Sequence, residues 1–231
     1  MASDDLSLVA TYYPVETNAG PAVILLHSYG KKRDEWNDIA PLLQRNGIAA
    51  LAIDLRGHGE STRRLTADGP QLVDVHNFQP RDFQDMLLDI NIAFDWLVQQ
   101  PGIDKHHIAI VGSDLGANLA LRYGAFNEDI VAFVLVSPSI INHNVRADDV
   151  IGKIGKRPLR IVIARDDAFV FESTNHLLEL RKQAGQSLGD DELIVTTGYL
   201  HGTPLLTGVK GLTAQVFGWL QQILQSAPPA P

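Results

Sequence analysis

Along nearly the whole chain, continuous apolar runs of strand length alternate with segments of helical period. This alternation narrows the possible folds more than any other feature. The runs cover residues 6–13, 22–27, 48–54, 108–112, 130–137, 159–164 and 192–197. Several are unbroken rather than alternating, the pattern of parallel strands covered on both faces. Between them, Phe83, Met86, Leu87, Ile90, Phe94 and Leu97 form one helical stripe, with Pro80-Arg81-Asp82 supplying a proline and an acid at its start. Residues 34–46, 115–126, 171–184 and 211–224 are the other expected helices, and Pro41 kinks the first or marks its true start. The expectation is an α/β protein with a mostly parallel central sheet of about 7–8 strands, helices on both faces, and functional loops at the carboxyl ends of the strands.

The chain has 231 residues, 45% of them hydrophobic and 20% charged, enough to bury a core without staples. No internal repeat or low-complexity segment interrupts it, so residues 1–225 read as a single domain. The tail Ser226-Ala227-Pro228-Pro229-Ala230-Pro231 is expected to fray. The absence of cysteine removes disulfides, thiolate metal sites and a cysteine nucleophile together. With 19 basic and 27 acidic residues, the net charge of −8 disfavours a nucleic-acid partner. Lys31-Lys32-Arg33 and Arg63-Arg64 fall short of a polyanion-binding cluster and read as solvated loop charge. The start, MASDDLSLVA, carries acids where a secretion signal needs bases, and the longest apolar runs, 22–26 and 48–53, are far below the roughly 20 residues that span a bilayer. The expectation is a soluble, cytoplasmic protein with a small-molecule substrate and no membrane partner. Its oligomeric state is left open.

Chemistry is expected where the run 108–111 passes through Gly112-Ser113-Asp114-Leu115-Gly116 straight into a helix. A sharp strand-to-helix turn needs small residues two before and two after its central residue. Gly112 and Gly116 meet that need for Asp114. Ser113 is flanked instead by Val111 and Leu115.

These segments resemble the α/β-hydrolase superfamily, in particular its small, uncapped esterase and dienelactone-hydrolase-like branch. Leu25-Leu26-His27-Ser28-Tyr29-Gly30 looks like the family's His-Gly loop, with Ser28 in place of the usual Gly. Asp54-Leu55-Arg56-Gly57-His58-Gly59-Glu60-Ser61 looks like its Asp-x-Arg-Gly-x-Gly-x-Ser loop. Arg165-Asp166-Asp167 and Gly198-Tyr199-Leu200-His201-Gly202 fall where the family places its triad acid and histidine. The resemblance implies an α/β-hydrolase fold, Asp114 at the nucleophile position, His201 as base, and Asp167 as orienting acid with Asp166 as the alternative. It also implies an oxyanion hole made by the N–H groups of Tyr29 and Leu115.

An esterase has Ser at the elbow and a dienelactone hydrolase Cys, so Asp114 changes the feasible reaction. A carboxylate attacking an ester carbonyl would form an anhydride, whereas attack on a saturated carbon forms a stable alkyl ester that activated water can hydrolyse. Haloalkane dehalogenases, fluoroacetate dehalogenases and epoxide hydrolases resemble this arrangement. Here, however, Leu115 stands where haloalkane dehalogenases have Trp, and residues 138–158 are too few for a cap domain. Tyr29 and Tyr199 are candidate proton donors within the core loops. The expected function is hydrolysis of a small ester, lactone or activated alkyl compound.

Two alternatives stand beside it. Asp is a favoured helix N-cap that tolerates left-handed backbone, so capping alone would account for Asp114 in a catalytically silent binding protein. The other is an esterase whose nucleophilic Ser is replaced by Asp114. Asp54, His58 and His27 read as structural, and His76, His143 and His176 as solvated. His106 and His107 are adjacent on a strand and make a poor metal pair. No metal or nucleotide motif is present, so neither metal nor cofactor is expected.

Overall fold

A computed structural model describes residues 5–16, 19–186, 189 and 192–226. Seven strands form the central sheet: β1 (Ala10–Tyr13), β2 (Gly20–Leu26), β3 (Ala49–Ile53), β4 (Ile103–Ser113), β5 (Ile130–Val136), β6 (Leu159–Ala164) and β7 (Leu193–Thr196). Their order across the sheet is β7-β6-β5-β4-β2-β3-β1. Every pairing is parallel except that of edge strand β1 with β3.

Alternation along the central strands splits the core in two. Ile24 and Leu26 of β2 pack with α2 (Pro80–Leu97), α3 (Leu115–Phe126) and α4 (Ala168–Gln183). Val23 and Leu25 face the other way, toward α1 (Ala40–Arg45), α5 (Thr203–Gly208) and α6 (Leu212–Ser226). Helices therefore cover both faces, which is why the strands are apolar without interruption.

Several expected elements differ in detail. The run 6–13 breaks in two: Leu6–Ser7 leaves the main sheet to pair with Arg63–Thr66, which also pairs with Gly69–Leu72. Those two strands escape the sequence pattern because their outward residues are charged or exposed. The helix expected over 34–46 becomes a 3₁₀ turn, Arg33–Trp36, and then α1, with Pro41 in its first turn, where the missing N–H is no loss. The short α5 was not anticipated. Ser226 closes α6 rather than opening a frayed tail, and residues 227–231 lie outside the described residues. Between β5 and β6 the chain forms only a small hairpin, Ile141–Asn142 with Val145–Arg146, and a 3₁₀ turn, Ile151–Ile154. No described helix is long and apolar enough to cross a membrane.

Register fixes where the site forms. Leu26 pairs with Gly112, and Ser113 with Val136, so β2, β4 and β5 end side by side. Ala164 pairs with Thr196, bringing the ends of β6 and β7 to the same edge. The glycines of the elbow allow the close approach. A Cβ on Gly112 would collide with the Gly116 carbonyl, and one on Gly116 with the Leu26 carbonyl. We predict that Gly116→Ala lowers stability by about 3 kcal/mol, because the obstacle is backbone. Gly218→Ala in α6, where a Cβ meets nothing within 4 Å, should instead add about 0.5–1 kcal/mol. Urea denaturation of both variants checks the contrast.

Candidate functional site

Asp114 sits at the end of β4 with φ 53° and ψ −114°, a conformation that a non-glycine residue holds only under strain. Its N–H bonds the Val136 carbonyl at 2.8 Å and its own carbonyl starts α3. The side chain makes no N-cap bond into that helix and takes from it only the N–H of the adjoining Leu115. Local capping therefore does not account for the residue.

The carboxylate points instead into the space above the strand ends. Oδ2 accepts the Tyr29 N–H at 3.0 Å. Oδ1 accepts Nδ2–H of Asn142 at 2.7 Å and lies 3.4 Å from His201 Nε2. On its other side, His201 Nδ1 donates to Asp167 Oδ2 at 2.6 Å. The remaining oxygen of Asp167 accepts the Val170 N–H and caps α4. Asp166 faces elsewhere and accepts the Gly198 N–H at 3.0 Å. The structure thus brings Asp114, His201, Asp167 and the Tyr29 amide together. Of the two adjacent acids, Asp167 touches the histidine.

Charge follows from this geometry. Burial opposes ionisation of Asp114, but hydrogen bonds from His201, from the Leu115 and Tyr29 amides, and the charge on His201 outweigh it. The net effect holds the carboxyl below its ordinary value. His201 is pushed up to about 9, chiefly by its hydrogen bond to Asp114, against a desolvation penalty, with Asp167 adding to the rise. At neutral pH the pair is carboxylate and imidazolium, and both imidazole nitrogens carry protons.

Asn142 and His143 escaped the sequence reading. They belong to the hairpin after β5, whose tip residues His143 and Asn144 have φ of 45° and 64°. Two left-handed residues in succession make the hairpin turn. Asn-His-Asn between Ile141 and Val145 is the signal that could have marked it. A carboxylate only accepts, so the Asn142 NH₂ faces Asp114. Its Oδ1 then accepts Nδ1–H of His143 at 2.6 Å. His143 is exposed, as expected of a solvated side chain, yet its ring stacks on Tyr29 with centroids 3.9 Å apart and lies 4.8 Å from that of Phe83. Tyr199, by contrast, is 80% exposed.

The neighbouring loops are structural, as their residue types suggest. Asp54 accepts the N–H groups of Arg33 and Glu60 and the Arg33 guanidinium. Arg33, which also pairs with Glu60, is therefore a brace rather than solvated loop charge. His27 donates from Nδ1 to the Ser28 carbonyl and accepts the Leu55 N–H at Nε2. Burial, with His58 beside it, pushes it down to about 4, so it stays neutral. Among the described residues no group of three or more His, Asp or Glu is placed to hold a metal ion.

A family model described as alpha/beta hydrolase fold matches residues 21–187. The polyketide transferase grgF of Penicillium sp is 29% identical over 138 residues, 59% of this chain and 42% of that protein. The thiohydrolase aneE of Aspergillus aculeatus is 29% identical over 168 residues, covering 70% and 48%. The matched region thus spans less than half the length of either relative. Among solved structures, the alpha/beta hydrolase GrgF from Penicillium sp. sh18 superposes with a TM-score of 0.74 at 16% identity, over 97% of this chain and 96% of that one. The Pyrococcus furiosus esterase Pf2001 gives 0.71 at 19% identity, over 97% and 89%.

A group whose pKa is raised by folding contributes stability below its unfolded value and loses it as pH rises through the folded one. For His201 that loss falls between about 6.5 and about 9. We predict that stability declines across this window and that Asp114→Asn, which removes the largest cause of the shift, flattens the decline. Urea titrations at a series of pH values, with NMR titration of the His201 imidazole, check both.

Proposed function

We propose, from the premise that the chain belongs to the alpha/beta hydrolase fold family, that it is a hydrolase in which Asp114 attacks a saturated carbon bearing a leaving group. One observation carries this reading. The Asp114 carboxylate occupies the Tyr29 amide donor with its own Oδ2 and keeps Oδ1 toward His201. A substrate carbonyl cannot use a donor already filled by an ionised oxygen, which argues against acyl transfer at this centre. The same occupancy suits the alkyl-ester route. Oδ1 bonds the carbon as the leaving group departs with its electron pair. His201 then removes a proton from water, and the hydroxide adds to the Asp114 carbonyl carbon. Negative charge develops on Oδ2, where the Tyr29 N–H already stands. Collapse expels the alcohol and restores the carboxylate.

The resting imidazolium fits this sequence. While Asp114 is ionised, His201 is charged and holds it so. Alkylation removes the carboxylate charge and with it the largest cause of the raised pKa. His201 then releases its Nε2 proton to solvent and becomes a base at the step that needs one.

A second reading is supported by the relatives, among them proteins named a thiohydrolase and an esterase. In it, Asp114 and His201 position water for direct attack on an ester or lactone. Turnover in oxygen-18 water with a panel of haloacids, epoxides and aryl esters separates the two readings. The covalent route predicts one labelled oxygen in the Asp114 peptide by mass spectrometry. Turnover without label supports activated water, and no turnover across the panel favours a binding protein.

A further inference from the structure

Ser28, the departure from the family's Gly, is bonded through every polar atom it has. Its N–H donates to Glu35 Oε2 at 2.8 Å and its hydroxyl to Glu35 Oε1 at 3.0 Å. Its carbonyl accepts from His27 Nδ1 at 2.8 Å and from the Lys31 N–H at 3.1 Å. The hydroxyl also lies 2.8 Å from Ser113 Oγ, and both serines are buried. A carboxylate offers no proton, so the direction of the chain is fixed: Ser113 donates to Ser28, and Ser28 to Glu35.

Each member of this chain neighbours a part of the site. Ser28 precedes Tyr29, whose N–H meets Asp114 Oδ2, and Ser113 precedes Asp114 itself. Gly202, which follows His201, rests on the two hydroxyls: a Cβ there would lie 2.9 Å from Ser113 Oγ and 3.0 Å from Ser28 Oγ. Its N–H is held by Ser137 Oγ at 3.0 Å. The amide donor, the elbow and the histidine loop thus meet on one pair of hydroxyls.

We propose that Glu35, acting through Ser28 and Ser113, is the positioning residue that aims the Tyr29 N–H at Asp114 and sets the height of the His201 loop. Its kinetic consequence rests on the covalent reading above, whereas its geometric consequence does not. Glu35→Ala removes the anchor from both the Ser28 N–H and its hydroxyl. Glu35→Gln keeps the geometry with the chain reversed: its oxygen accepts the Ser28 N–H and its NH₂ donates to Ser28 Oγ, leaving the Ser28 hydroxyl to donate to Ser113.

The test reads the Tyr29 amide by ¹H–¹⁵N NMR in each variant, alongside kcat and KM on any substrate of the panel that turns over. Bonded to a carboxylate, this amide proton should resonate downfield and respond when Asp114 protonates. In Glu35→Ala it should move upfield and lose that response, with kcat falling about 10- to 100-fold and KM holding within about twofold. Glu35→Gln should restore the amide shift and bring kcat to within about threefold of wild type. A folded Glu35→Ala whose Tyr29 amide stays on Asp114 overturns the proposal, as does a Glu35→Gln no better than Ala. If Glu35→Ala does not fold, Ser28→Gly is read in its place, since it deletes both hydroxyl bonds and keeps the N–H bond to Glu35. An unmoved Tyr29 amide there overturns the proposal too. A wild-type protein that turns over no substrate counts against the covalent reading alone, because the amide shift still decides the positioning role.

Discussion

Holding a non-glycine residue at φ 53° and ψ −114° costs on the order of 1–3 kcal/mol, and the site exists because the fold sustains that strain at Asp114. Gly112 and Gly116 let α3 settle onto the ends of β4 and β2 with no room for a Cβ at either position. The packing leaves the turn nowhere to relax. It also aims the carboxylate off the N-cap position, so an acid that would otherwise cap a helix is presented to the loops of three other strands.

What those loops supply is a set of donors. Tyr29 after β2, Asn142 in the hairpin after β5 and His201 after β7 each bring a proton to the same carboxylate. Asp167 after β6 holds the far side of the imidazole. The assembly stabilises an anion at the elbow so well that it inverts the usual state of a triad, whose histidine waits as a neutral base. Here the histidine is charged while Asp114 is ionised. The two oxygens of Asp114 are thereby differentiated, one held by the Tyr29 amide and the other facing the histidine. A serine hydroxyl, with a single oxygen, could not be divided in this way.

The fold was legible because parallel strands buried on both faces must be continuously apolar, and because Gly112-x-Asp114-x-Gly116 leaves one centre for a tight turn. The family spacing of Asp114, Asp167 and His201 rested on sequential loops at strand ends, which register then brings to one edge. What stayed hidden depends on contacts between distant segments. Asn142 and Asp114 are 28 positions apart, and only the hairpin turn at His143-Asn144 directs the amide inward. The stacking of His143 on Tyr29 likewise needs the hairpin in place, so the polar run around it read as solvated. Ser28 registered in the sequence only as a departure from Gly, and its partners Glu35 and Ser113 became visible once β2 and β4 were aligned. The strands Arg63–Thr66 and Gly69–Leu72 carry exposed and charged side chains and leave no apolar period to detect.

In the covalent route Asp114 carries a bond to substrate carbon, and His201 is needed to break it, not to form it. Intact-protein and peptide mass spectrometry of His201→Gln, incubated with an activated alkyl compound that the wild-type protein turns over, reads this directly. The covalent route requires a stable adduct of one alkyl group on Asp114, formed at a rate near that of wild type and not released. Substrate consumed without an adduct, or an adduct on a residue other than Asp114, would contradict it.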